Sequence, residues 1–179
     1  MNAKFTARPT TRPVCRLTAL LLAALLLLGA TACSSTTATT TAPPAADSYV
    51  FAYEGIQIPL AARADEVLAR LPEPASVFKA PSCLFEGEDE VYAFPGIEVY
   101  VGSYRGERVV AAVFLTDETA KTPEGLAIGD AAAEVDRIYG TERRESVGAF
   151  TYTKGDTELA IVTVQDRVTS IAYYGVFER

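Results

Sequence analysis

In Ile97-Glu98-Val99-Tyr100-Val101 every odd position is aliphatic and every even position is charged or aromatic. Such period-two alternation marks a strand buried on one face only. No other feature of the 179-residue chain limits its fold as much. Similar short runs fill the sequence from about residue 48 onward. Residues 48–53 and 56–60 flank Glu54-Gly55 and predict a hairpin. Residues 61–71 change period: Ala64, Val67, Leu68 and Leu71 recur at helical spacing before Pro72 and Pro74 stop the run. Strands are then expected at 91–94, 97–101 and 109–115, with turns at Pro95-Gly96 and at 103–107.

The same order returns. Gly129-Asp130 opens a helical run through Val135, Ile138 and Tyr139 that Gly140 closes, with Asp130 placed as an N-cap. Strands are expected at 149–153, 158–164 and 168–174. An offset of 68 residues lays Ala64, Glu66 and Val67 over Ala132, Glu134 and Val135. The predicted fold class is therefore α+β, with two tandem helix-plus-three-strand modules at about 48–116 and 117–179. Neither module is large enough to bury its own helix, so the expectation is one antiparallel sheet with both helices on one face.

The N-terminal region obeys different rules. Residues 1–16 carry Lys4, Arg8, Arg12 and Arg16 and no acid, and residues 17–32 carry no charge. A spanning helix needs about twenty apolar residues, and the leucine-rich run here is shorter. A basic start, a short apolar stretch and small residues describe a secretory signal at 1–32. Ala30-Thr31-Ala32-Cys33-Ser34 resembles the bacterial lipobox, although that pattern usually has leucine where Ala30 stands. The resemblance implies that Cys33 receives the lipid and becomes the first residue. Residues 33–47 are rich in threonine, with Pro43-Pro44 and no large apolar side chain, and read as a linker. The expected location is thus the cell membrane, lipid-anchored, on the extracytoplasmic side.

Charge excludes several functions. The chain has 16 basic and 23 acidic residues, net −7, with no histidine and no tryptophan. Losing the four bases of residues 1–32 leaves a body at net −11, which lipid rather than electrostatics must hold at a membrane. No histidine means no Ser-His or Cys-His nucleophile pair and no histidine-bound metal. The acidity argues against nucleic acid as a partner. Glu86-Gly87-Glu88-Asp89-Glu90 lacks the alternating donors of a calcium loop, and no metal or cofactor is expected. Cys83 would remain without a cysteine partner, and the expectation is a small side chain buried beside Leu84 and Phe85.

The segment Ile128-Gly129-Asp130-x-x-x-Glu134-Val135-x-x-x-Tyr139-Gly140, followed by Tyr152-Thr153, Leu159-x-Ile161 and Val168-x-x-Ile171, carries a further resemblance. It is similar to the repeat of bacterial lipoproteins of the SmpA/OmlA type and of the tandem-repeat β-lactamase-inhibitor proteins. The body as a whole also resembles uncharacterised lipoproteins of Gram-positive anaerobes. For the inhibitors the resemblance implies binding by hairpin loops across a concave sheet. No contact residue transfers, because the matching turn here is Pro95-Gly96 with no aromatic or acid at its tip.

Two functional classes follow. The first is a lipid-anchored, non-catalytic module that binds a protein or a cell-envelope component on the sheet face left free by the helices. Tyr100, Tyr173 and Tyr174 are its candidate binding residues, because exposed tyrosines are favoured at interfaces. Tyr173 and Tyr174 are adjacent, so strand alternation sends them to opposite faces. The alternative is an Asp/Glu-dependent hydrolase or carbohydrate-binding enzyme of the cell envelope, which would need two carboxyl groups converging in a cleft, one of them desolvated. No catalytic residue is assigned.

Overall fold

A computed structural model describes residues 47–178. The expected signal peptide, Cys33 and nearly all of the expected linker lie outside the described residues. Within them the chain is predominantly β. A hairpin of β1 (Val50–Tyr53) and β2 (Ile56–Pro59) precedes α1 (Ala64–Leu68). Next come β3 (Ser76–Pro81), β4 (Glu88–Phe94), β5 (Ile97–Tyr104) and β6 (Glu107–Leu115). After α2 (Ala132–Tyr139) follow β7 (Arg144–Ser146), β8 (Ala149–Lys154), β9 (Thr157–Val164) and β10 (Arg167–Gly175). The last eight strands form one antiparallel sheet in the order β3-β4-β5-β6-β10-β9-β8-β7.

The α+β expectation is thereby corrected. The helices are only five and eight residues long, too short to roof an eight-stranded sheet. The covering layer is shared with the β1–β2 hairpin, which forms its own two-stranded sheet. Two strands absent from the sequence reading, β3 and β7, extend the sheet at its edges. The expected helix at 61–71 shrinks to Ala64–Leu68, because Ala61 and Ala62 instead exchange backbone hydrogen bonds with Val110. Asp130 does not cap α2. Its carboxylate turns back to accept the Ala127 N–H at 2.8 Å, and Ala131 occupies the cap position without a side-chain bond.

Register explains the core. Across the sheet, Ile97, Leu115, Ile171, Ile161 and Phe150 stand in one row. Val99, Val113, Tyr173, Leu159 and Tyr152 stand in the next. Phe51, Ile58 and Leu60 from the hairpin side, with Val67 and Val135 from the helices, belong to the same buried cluster. Each such aliphatic side chain removed from water contributes about 1.5–3 kcal/mol before entropy is counted. Aromatic edges lock the hairpin down: Phe51 lies 5.4 Å from Tyr173 and Tyr53 lies 5.8 Å from Phe94. The parity rule is interrupted once, where the β5–β6 register shifts between Tyr100 and Val101. That bulge lets Val110 and Val113 both face the core.

Candidate functional site

The other face of the sheet is built from the alternate positions. One row runs Val91, Tyr100, Ala112, Tyr174, Glu158, Thr153. Its neighbour runs Ala93, Glu98, Phe114, Ala172, Ala160, Thr151. Large aromatic side chains therefore rise beside alanines, and the alanines form a low floor. Phe114 joins the two tyrosines, with ring centroids 4.8 Å from Tyr100 and 5.5 Å from Tyr174. Burial pushes both tyrosine hydroxyls above their ordinary range, and the Glu98 carboxylate adds to the effect at Tyr100. The Tyr100 hydroxyl donates to Glu98 at 3.2 Å.

Two segments close over the rim of this face. In residues 82–87 the Ser82 hydroxyl accepts the N–H groups of Leu84 (3.2 Å) and Phe85 (2.8 Å), fixing a tight turn. The Phe85 ring then lies directly on the backbone of Gly102, where a Cβ would stand 2.4 Å from Cδ2. Only glycine permits that approach. After β10, Phe177 packs against Phe85 at 5.1 Å and Tyr104 at 4.9 Å, and the Tyr104 hydroxyl donates to the Glu178 carbonyl. The result is a recess of about 180 Å3 whose lining includes Phe85, Asp89, Tyr100, Phe114, Tyr174 and Phe177. A second recess of about 540 Å3 shares Leu84, Phe85, Gly175 and Phe177 with it and continues past Tyr104 and Arg105.

The three tyrosines singled out from sequence thus separate. Tyr100 and Tyr174 share the recess. Tyr173 is corrected to a core residue at 1% exposure, held among Tyr49, Phe51 and Leu159, because its side of β10 faces the hairpin. Sequence reasoning missed Phe85, Phe114 and Phe177. Phe114 obeys strand alternation and was available to it. Phe85 and Phe177 lie outside strands, and no periodicity points to them. Cys83 is exposed, contrary to the buried reading: the turn that sends Phe85 inward leaves Cys83 outside.

The carboxylates are dispersed or tied up. Glu90 accepts hydrogen bonds from Tyr92 at 2.5 Å and from Arg108 at 2.7 Å, with Lys79 at 3.4 Å. Burial pushes its carboxyl up, but the bonds from Tyr92 and Arg108 and the Arg108 charge outweigh this, and the net shift is downward. Asp117 is also held low, by the Thr119 hydroxyl and N–H. Among the described residues no three or more His, Cys, Asp or Glu side chains converge as metal donors. No helix among them is long and apolar enough to cross a membrane.

No protein-family model matches the chain, and no curated protein matches it. Among solved structures it is similar to an extracellular protein containing an SCP domain from Bacillus anthracis str. Ames, at 13% identity and a TM-score of 0.40. That match covers 65% of this chain and 44% of the other. The chain therefore spans less than half the length of that protein.

Proposed function

We propose that the protein is a lipid-anchored extracytoplasmic module, non-catalytic, that binds a protein partner on the aromatic face of its sheet. The observation that carries the binding reading is the recess around Tyr100, Phe114 and Tyr174. Tyr174 keeps 37% of its surface exposed, and Leu84 beside it keeps 63%. A cluster of aromatic side chains around a low floor is what an interface centre is made of. Acids surround it, with Glu98 and Glu158 on the same face and Glu86 and Glu178 along the adjoining recess. The partner that fits is therefore one whose contact surface is largely apolar and carries basic side chains, and the charges would speed its association.

The anchoring reading rests on the sequence around Cys33, and with it the placement at the cell membrane. A catalytic reading finds less support. A general acid requires a carboxyl raised by desolvation, whereas Glu90 and Asp117 are both shifted down.

The test compares what the full chain and its Tyr174→Ala variant retain from envelope extract, followed by reconstitution with the purified partner. Binding that is lost in Tyr174→Ala at unchanged folding supports the proposal. Equal binding by both forms sinks the assignment to this face.

A further inference from the structure

One side chain that lines the aromatic recess carries a polar atom with no counterpart. Asp89 stands on β4 two residues before Val91, and so on the same face as Tyr100. It lines the recess, and its Oδ1 is buried without a hydrogen-bond partner. A buried acceptor left unpaired costs about 1–3 kcal/mol, more when it is charged. Such an atom in a native fold calls for a donor. The remaining wall is aromatic: Phe85, Tyr100, Phe114, Tyr174 and Phe177. Ring faces attract cations, and desolvation strengthens the attraction. A carboxylate oxygen and several ring faces around one small volume are complementary to a cation that both donates and stacks.

We propose that this recess receives a guanidinium group, the side chain of an arginine on the partner protein. The inference rests on the binding reading given above and names the group that reading leaves open. A guanidinium satisfies both demands at once. Its N–H groups can approach the Asp89 carboxylate that lines the recess while its plane lies against a ring, and it is less strongly hydrated than an ammonium. The chain already uses this contact internally. Arg105 stands 5.0 Å over the Tyr104 ring, in the adjoining recess. The surrounding charge points the same way: Glu98 shares the face and Glu86 and Glu178 line the adjoining recess, whereas Glu158 is already paired with Arg144.

The experiment uses the full chain in detergent micelles and two peptide amides, acetyl-Leu-Arg-Leu and the same peptide with neutral citrulline. Nuclear magnetic resonance follows the ring signals of Tyr100, Tyr174 and Phe177. The arginine peptide is expected to bind about tenfold more tightly than the citrulline peptide, the range of a desolvated cation–π contact. Asp89→Asn should narrow the preference to about threefold, because the rings stay in place, with the rest of the spectrum unchanged. A measurement without any variant runs beside it: raising the salt should weaken only the arginine peptide. Equal affinity for both peptides, or no effect of salt, overturns the guanidinium assignment and leaves the binding face standing. If neither peptide moves the ring signals, the binding face falls and this inference falls with it.

Discussion

The two faces of the eight-stranded sheet use the same strands and are both mostly apolar, yet they are finished differently. On one, the rows through Ile97 and Val99 are sealed by a hairpin and two short helices, and all their side chains but Phe150 are buried. On the other, aromatic side chains stand among Ala112, Ala160 and Ala172 and meet only a loop turn and the last residues of the chain. Apolar content alone does not separate a core from a binding face. What separates them is whether the fold supplies a lid, and here it supplies one for half of the sheet.

Substitutions on the sealed face should do the most damage. Tyr173→Ala removes a ring that touches Tyr49 and Phe51, and should cost about 3–5 kcal/mol in urea unfolding. A loss under about 1 kcal/mol would mean that the hairpin does not bear on the sheet as described. Next comes Glu90, at the margin of the same face. Its folded pKa lies below the ordinary value of 4.5, so it contributes stability above that pH. The contribution fades as pH falls through the depressed folded value. Glu90→Gln should cost about 1–2 kcal/mol at neutral pH and flatten the acid limb of the stability curve. An acid limb identical to that of the unaltered chain would contradict the pairing with Arg108.

The second face should respond more mildly. Gly102→Ala places a Cβ against the Phe85 ring. That ring sits on an exposed turn and can swing away, so the cost should be near 1 kcal/mol. The clearer readout is faster proteolysis within residues 82–87, and unchanged cleavage there would mean that Phe85 is not seated on the strand. The smallest stability effect is expected for Tyr174→Ala, under about 1 kcal/mol by thermal unfolding. A loss as large as that of Tyr173→Ala would erase the distinction between the faces.

How much of this was legible follows from what each residue is asked to do. Strands β5, β6, β9 and β10 were readable because one side of each is buried and the other is not, and alternation records that constraint. β3 left no such record. Every residue of Ser76–Pro81 except Ala80 is exposed, so neither face is selected for an apolar side chain, and no strand is expected between the prolines that stop the 61–71 run and residue 91. β7 is three exposed residues. The helices were overweighted because helical spacing in 61–71 is real, but only its centre is helical: the first residues pair with Val110, and the last tighten into local turns. At the site, alternation required Tyr173 and Tyr174 to part but could not say which turned inward. That choice is set by the register of β10 against β6 and β9, a long-range fact.

The seam between β6 and β10 has a kinetic meaning. Every other strand ladder joins elements adjacent in sequence, whereas this one brings Leu115 to Ile171. Closing a loop of that length costs roughly 3–4 kcal/mol of chain entropy. The seam is also brief, with paired residues only from Ala112 to Leu115 on one side. Each four-stranded meander can form from neighbouring turns, so their joining is the slow, order-dependent event in folding. Val113, which meets Val99 within its own meander and Tyr173 across the seam, is the position where a truncation would slow folding most for the stability it removes.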